Sequence, residues 1–144
     1  MYGLDRATGD VVASLQATEF AEQGFNIGNP EDLPSLALVG DIVVVASSTL
    51  TTLTAVSATN LQRKWRVPFA FGSPTRITAD SGRIYAGAAG GQFAAYDVFG
   101  HLVWSVQIGD LRRDHLEGLA FPPAIDSGQI YLPGAREVYA FRKF

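Results

Sequence analysis

The sequence contains no cysteine. That excludes disulfide scaffolds, thiolate metal sites and thiol nucleophiles. It leaves the compartment open, since a cysteine-free chain folds in reducing and oxidising surroundings alike. Positive charge is not in excess either: eleven basic residues against fourteen acidic ones give a formal net charge of −3. Without a basic stripe, nucleic-acid or anionic-membrane binding has no electrostatic support. No apolar run approaches the roughly 20 residues that span a bilayer as a helix. No signal-peptide pattern of basic and apolar segments opens the chain. Helical periodicity is also missing; the best candidate, Ala17–Gln23, is short and weakly amphipathic.

What the chain does have is short β-forming runs cut by turn residues. At 144 residues and 47% hydrophobic, it is one ordinary domain by size, able to bury roughly 70% of its unfolded surface if it closes on itself. The stretch Ser73–Val106 shows the pattern best. Runs at Thr75–Thr78, Arg83–Ala88, Phe93–Asp97 and Leu102–Val106 are separated by Asp80-Ser81-Gly82, Gly90-Gly91 and Phe99-Gly100. Runs of four to six residues between Gly, Asp and Ser turns read as a four-stranded antiparallel meander.

The same unit recurs. An aromatic-small-apolar-Asp element followed by a turn and an apolar strand is found at Tyr2–Val12, Thr54–Trp65, Ala94–Trp104 and Val138–Phe141. A second element, a Pro start with a strand, a Gly turn and an apolar strand, is found at Pro34–Ser47, Pro74–Ala88 and Pro123–Pro133. Asp-Ser-Gly stands before Arg83-Ile84-Tyr85 and again before Gln129-Ile130-Tyr131. With strands lettered A to D from the inside out, residues 1–16 hold C and D of a first blade. Residues 34–67 and 74–107 are complete blades, and 123–143 form a last blade lacking its outer strand. Four-stranded units repeating every ~40–50 residues mark a β-propeller. The fold expected is therefore all-β, a propeller segment of about three and a half four-stranded antiparallel blades. A flat β-sandwich is the alternative, but sandwich strands need no repeat.

Tyr2-Gly3-Leu4-Asp5-x-x-Thr8-Gly9, with the tryptophans Trp65 and Trp104, resembles the pyrroloquinoline-quinone-like (PQQ-like) propeller repeat, roughly Tyr-Ala-Leu-Asp-x-x-Thr-Gly-x-x-x-Trp. The first copy has Ala13 where Trp is expected. The second has Ser57, Asn60 and Leu61 in place of Asp, Thr and Gly, and keeps Trp65. The third keeps Asp97, Gly100 and Trp104 with a turn shorter by one. The resemblance implies that these tryptophans dock blade on blade. Asp5, Thr8, Gly9, Asp97 and Gly100 would then be architectural, with glycine supplying positive φ and Asp bonding turn amides.

Catalysis does not follow from that resemblance. Quinoprotein dehydrogenases of the family are eight-bladed and hold the quinone on the axis with calcium, acidic ligands and often adjacent cysteines. This chain has no cysteine and about half the blades. Other relatives are scaffolds, such as the lipoprotein of the outer-membrane barrel assembly machinery. The resemblance therefore implies a binding or assembly scaffold with no cofactor of its own, in the cell envelope or periplasm. The alternatives are part of a quinoprotein dehydrogenase and a saccharide- or peptide-binding sensor.

Long loops on a rigid β scaffold are where binding usually resides. Ala17–Leu33, Pro68–Gly72 and Gly109–Phe121 are the long connections, and topology gathers them on one face. Arg112 and Arg113, helped by His115, could contact an anion or carboxylate; the plainer reading is a solvated crossing with weak local ion pairs. Phe69 and Phe71, with Phe20 and Phe25, could form an aromatic patch for a partner; otherwise they fold back over the inner strands. His101 and His115 share no metal spacing, and no Ser has His and Asp partners. The candidate catalytic, metal and cofactor lists are empty. Open blade edges at both ends favour pairing with further strands. The partners expected are missing blades of a longer propeller, a protein, or a second copy completing a ring.

Overall fold

A computed structural model describes residues 2–14, 35–47, 51–88, 90–108, 122–133 and 138–143. These form thirteen strands, β1 (Tyr2–Leu4), β2 (Val11–Ser14), β3 (Ser35–Val39), β4 (Ile42–Ser47), β5 (Thr52–Ser57), β6 (Arg63–Pro68), β7 (Pro74–Ala79), β8 (Arg83–Ala88), β9 (Gln92–Asp97), β10 (Leu102–Gln107), β11 (Ala124–Ile125), β12 (Gln129–Pro133) and β13 (Val138–Arg142), with no helix among the described residues. The sheets are a two-stranded ribbon β1-β2, two four-stranded meanders β3-β4-β5-β6 and β7-β8-β9-β10, and the three-stranded β11-β12-β13. All pairings are antiparallel between sequence neighbours. The molecule is an all-β propeller segment.

The repeat in sequence is a repeat in geometry. In the turn joining β7 to β8, the Asp80 amide donates to the Arg83 carbonyl at 3.1 Å; between β11 and β12, Asp126 donates to Gln129 at the same 3.1 Å. The Tyr85 hydroxyl reaches Asp80 Oδ2 at 3.3 Å and the Tyr131 hydroxyl reaches Asp126 Oδ2 at 3.5 Å. One Asp therefore closes the turn and a Tyr five residues on buttresses it. Burial, and then the charge of Asp80, push the Tyr85 hydroxyl up to about 12, so it stays a donor at ordinary pH.

Strand-wise alternation assigns side chains to one sheet face or the other. Between the two meanders, Ile42, Val44, Leu53, Ala55 and Trp65 of one meet Ile77, Ile84, Ala86 and Tyr96 of the other. A second core between the β7–β10 meander and the last sheet joins Tyr85, Phe93 and Ala95 to Ile130, Leu132 and Phe141. Small residues along β8 and β9 (Ala86, Ala88, Ala94, Ala95) keep this middle blade thin, so that both neighbours can reach it. Near the axis, the Ile77 amide donates to Ser35 Oγ at 3.0 Å, linking the inner strands β7 and β3. It does so beside the register shift between Pro74 and Ile77, where a strand that starts on proline has already lost one ladder donor.

Hydrogen bonds between loops define the two faces. On one, the Phe69 amide after β6 donates to Thr51 in the β4–β5 hairpin at 2.8 Å, and Ile108 after β10 donates to Gly91 in the β8–β9 hairpin at 2.9 Å. On the other, Ala58 donates to Asp41 at 2.7 Å and Lys143 donates to Gly128 at 2.9 Å. Short turns therefore share one face, and the connections between sheets leave from the opposite one.

Candidate functional site

The turns between third and fourth strands come in three versions of one design. The Gly9 amide donates to the Asp5 carbonyl at 2.9 Å, Leu61 donates to Ser57 at 2.9 Å, and Gly100 donates to Asp97 at 3.1 Å. All three donors have positive φ: 77° at Gly9, 59° at Leu61 and 86° at Gly100. The polar side chain at the head of the turn accepts from the amides that follow. Asp5 Oδ1 takes those of Ala7 at 2.8 Å and Thr8 at 2.9 Å. The Thr8 hydroxyl in turn accepts from the Asp10 amide at 3.2 Å. Asp97 Oδ1 takes the amides of Phe99 and His101, each at 2.9 Å, while its Oδ2 lies 2.9 Å from His101 Nδ1.

These bonds lower the carboxyl pKa values. For Asp5 the cause is first the Thr8 amide and then that of Ala7. For Asp126 it is the Gly128 and then the Gln129 amide. At Asp97 burial works upward, and the His101 and Phe99 contacts together outweigh it. A carboxyl whose folded pKa lies below its ordinary 3.8 stabilises the fold above that value, and the contribution is lost as pH falls through the depressed one. Chemical-denaturation midpoints should therefore hold steady down to about pH 4 and fall below it. Asp126→Asn keeps the acceptor but removes the titration, so its profile should be shallower on the acid side. An identical slope would mean that the turn carboxylates do not set it.

One such turn receives a neighbouring blade. The indole of Trp65, on β6, donates from Nε1 to the Val98 carbonyl at 2.8 Å. Its ring lies over Gly100, where an added Cβ would stand 3.1 Å from Trp65 Cδ2 and Cε3 and 3.2 Å from Val67 Cγ1. Gly100 thus meets two demands, positive φ and room for an indole. Trp104, on β10, faces the last sheet in the same sense, edge-on to Phe141 at 5.6 Å and to Phe93 at 6.1 Å.

Phe69 is 4% exposed, edge-on to Phe71 at 5.7 Å and 6.0 Å from the Tyr96 ring. Phe71 packs partly buried against the same core. These two rings lie inward, not in an exposed patch. Arg112, Arg113 and His115, with Phe20 and Phe25, lie outside the described residues. Among the described residues no group of three His, Cys, Asp or Glu could hold a metal ion, and no helix is long and apolar enough to cross a membrane.

Several participants escape sequence reasoning. Val98 acts through its carbonyl and Ser35 through a hydroxyl that meets a strand 42 positions away, so neither leaves a side-chain pattern. Lys143 pairs with Asp80 of the neighbouring sheet and reaches the Asp126 carbonyl at 3.3 Å. Its place two residues after Phe141 is the one available hint.

Such blades, docked by an outer-strand tryptophan on the next turn, define the β-propeller of the PQQ-like repeat type. Solved structures agree. BamB from Moraxella catarrhalis is similar at TM-score 0.56 and 17% identity, over 74% of this chain and 35% of that one. Quinohemoprotein alcohol dehydrogenase ADHIIG from Pseudomonas putida HK5 is similar at 0.58 and 19%, over 79% and 20%. The quinohemoprotein alcohol dehydrogenase of Comamonas testosteroni is similar at 0.56 and 19%, over 68% and 16%. The chain therefore matches about a third of the first of these proteins and a fifth or less of the other two. At the level of sequence, no family model and no curated protein matches.

Proposed function

We propose that this chain is a non-catalytic binding or assembly scaffold of the PQQ-like propeller type, engaging a protein partner through the face that carries the long inter-blade connections. The observation behind this is the unequal use of the two faces. Around the short turns, the carboxylates of Asp5, Asp97 and Asp126 are spent on their own backbone amides. From the opposite face, at Ile108, departs the connection that carries Arg112, Arg113 and His115. The likeness to BamB is compatible with such a role. Charge on a rigidly held crossing suits partner recognition.

Site-specific photo-cross-linking in the source cells tests it. A photoreactive phenylalanine analogue in place of Arg113 should give a discrete adduct, weakened by Arg112→Ala, whereas the same analogue at Ser127 on the short-turn face should give none. Adducts from Ser127 alone, or from neither position, would remove the proposal. Two of the similar structures are quinohemoprotein alcohol dehydrogenases, and that second reading predicts a saturable quinone absorbance on adding PQQ and calcium. Its appearance would move the assignment to an enzyme.

A further inference from the structure

Each repeat carries one apolar residue immediately before its third-to-fourth-strand turn: Leu4, Val56, Tyr96 and Phe141. Tyr96 packs toward the β3–β6 meander and Phe141 toward the β7–β10 meander. This position therefore faces the preceding blade. Val56 and Tyr96 are 0% and 2% exposed, and Leu4 is 60% exposed. Phe141 is half-buried against Trp104. The first ribbon presents to solvent the side chain that its equivalents bury, flanked by the exposed Val11 and Val12.

The turn glycines divide in the same way. Gly100 is covered by Trp65, whereas a Cβ at Gly9 would meet nothing within 4 Å. The turn between them in chain order shows the counter-case. Where the preceding outer strand carries Ala13 instead of tryptophan, the turn carries Leu61 instead of glycine, 4% exposed and still at positive φ. Tryptophan goes with glycine, and alanine goes with a turn that fills its own space. Gly9 has the first kind of turn and an open surface above it.

We infer that the Asp5–Asp10 turn, with Leu4 beside it, is a docking site for the Trp-bearing outer strand of a further propeller blade. The recognising chemistry is the one at the Trp65 joint. An indole plate covers a glycine that a side chain would obstruct, and its N–H meets the carbonyl of the residue after the turn aspartate. That residue is Val98 in the observed joint and Arg6 here. Leu4, Val11 and Val12 supply the apolar floor whose burial drives association. Neither tryptophan of this chain is the donor, because Trp65 is seated on Val98 and Gly100 and Trp104 lies against Phe93 and Phe141. A second copy has both of its own engaged likewise, so the strand belongs to a different blade. This inference concerns the blade edge and does not depend on the long-connection face.

The absence of cysteine gives a direct test. Ala7→Cys can be labelled with bimane, whose emission indole quenches at contact. The probe is a capped synthetic peptide with the sequence of residues 62–69, which carries the Trp65 motif. Saturable quenching is expected, at least about tenfold weaker for the peptide with alanine at the tryptophan position. It should also be lost in Gly9→Val protein and reduced in Leu4→Asp, whose exposed position leaves folding intact. Bimane at Phe99→Cys should be quenched without peptide, by Trp65, and brighten in Trp65→Phe. The inference is overturned by no saturable quenching at millimolar peptide, by equal quenching without tryptophan, or by full quenching in both the Gly9 and Leu4 variants. An unquenched Phe99→Cys label would remove the joint on which it is patterned. Quenching that grows with protein concentration alone would identify a second copy as the occupant and equally overturn it.

Discussion

Trp65→Ala should lower the unfolding free energy by about 3 kcal/mol, the lower end for truncating a tryptophan, because this ring is half-buried. Two effects add. The ring covers Gly100 and touches the core between the meanders, and its Nε1 satisfies the Val98 carbonyl. Trp65→Phe separates them, since it keeps most of the apolar contact and forfeits the hydrogen bond, worth about 1 kcal/mol. Urea denaturation of the three proteins, with equal slopes, reads both terms. A loss in Trp65→Ala no larger than that in Trp65→Phe would show that the ring contributes little beyond its N–H, and that the blades are held chiefly by their inner strands.

Gly100→Val should be of similar size. A β-branched residue at positive φ costs about 1–3 kcal/mol in backbone strain, and a methyl-bearing Cβ forced against the indole adds an overpacking cost of about 1–3 kcal/mol. The total expected is about 3 kcal/mol or more. Gly9→Val supplies the control: its φ is also positive, but nothing stands within 4 Å of the added Cβ, so it incurs the strain alone. The difference between the two variants isolates the crowding, and finding none would mean that Trp65 moves aside freely.

The repeat was legible because its punctuation is local. Asp80-Ser81-Gly82 and Asp126-Ser127-Gly128 announce the same turn, and Trp65 and Trp104 stand at matching offsets from Ser57 and Asp97. From these the all-β propeller segment and its PQQ-like repeat could be read. The joints were less legible. Trp65 can be singled out, but its acceptor is a backbone carbonyl 33 positions away, and any residue has a carbonyl. Leu61 gives no sign of its positive φ, since leucine ordinarily avoids that region. Phe69 and Phe71 illustrate another limit. An aromatic loop has the same composition whether it faces a partner or folds onto Tyr96, and only the Phe69–Thr51 backbone bond turns it inward.

The turn aspartates also bear on how the molecule looks to an approaching ion. A formal count of −3 treats every carboxylate as a free source of field, yet those of Asp5, Asp97 and Asp126 each already face two converging N–H dipoles. Their lines of force end largely inside the loop that made them. At long range the protein is electrically milder than its titration stoichiometry suggests, and a cationic visitor is drawn to it less strongly than arithmetic on the side chains would predict.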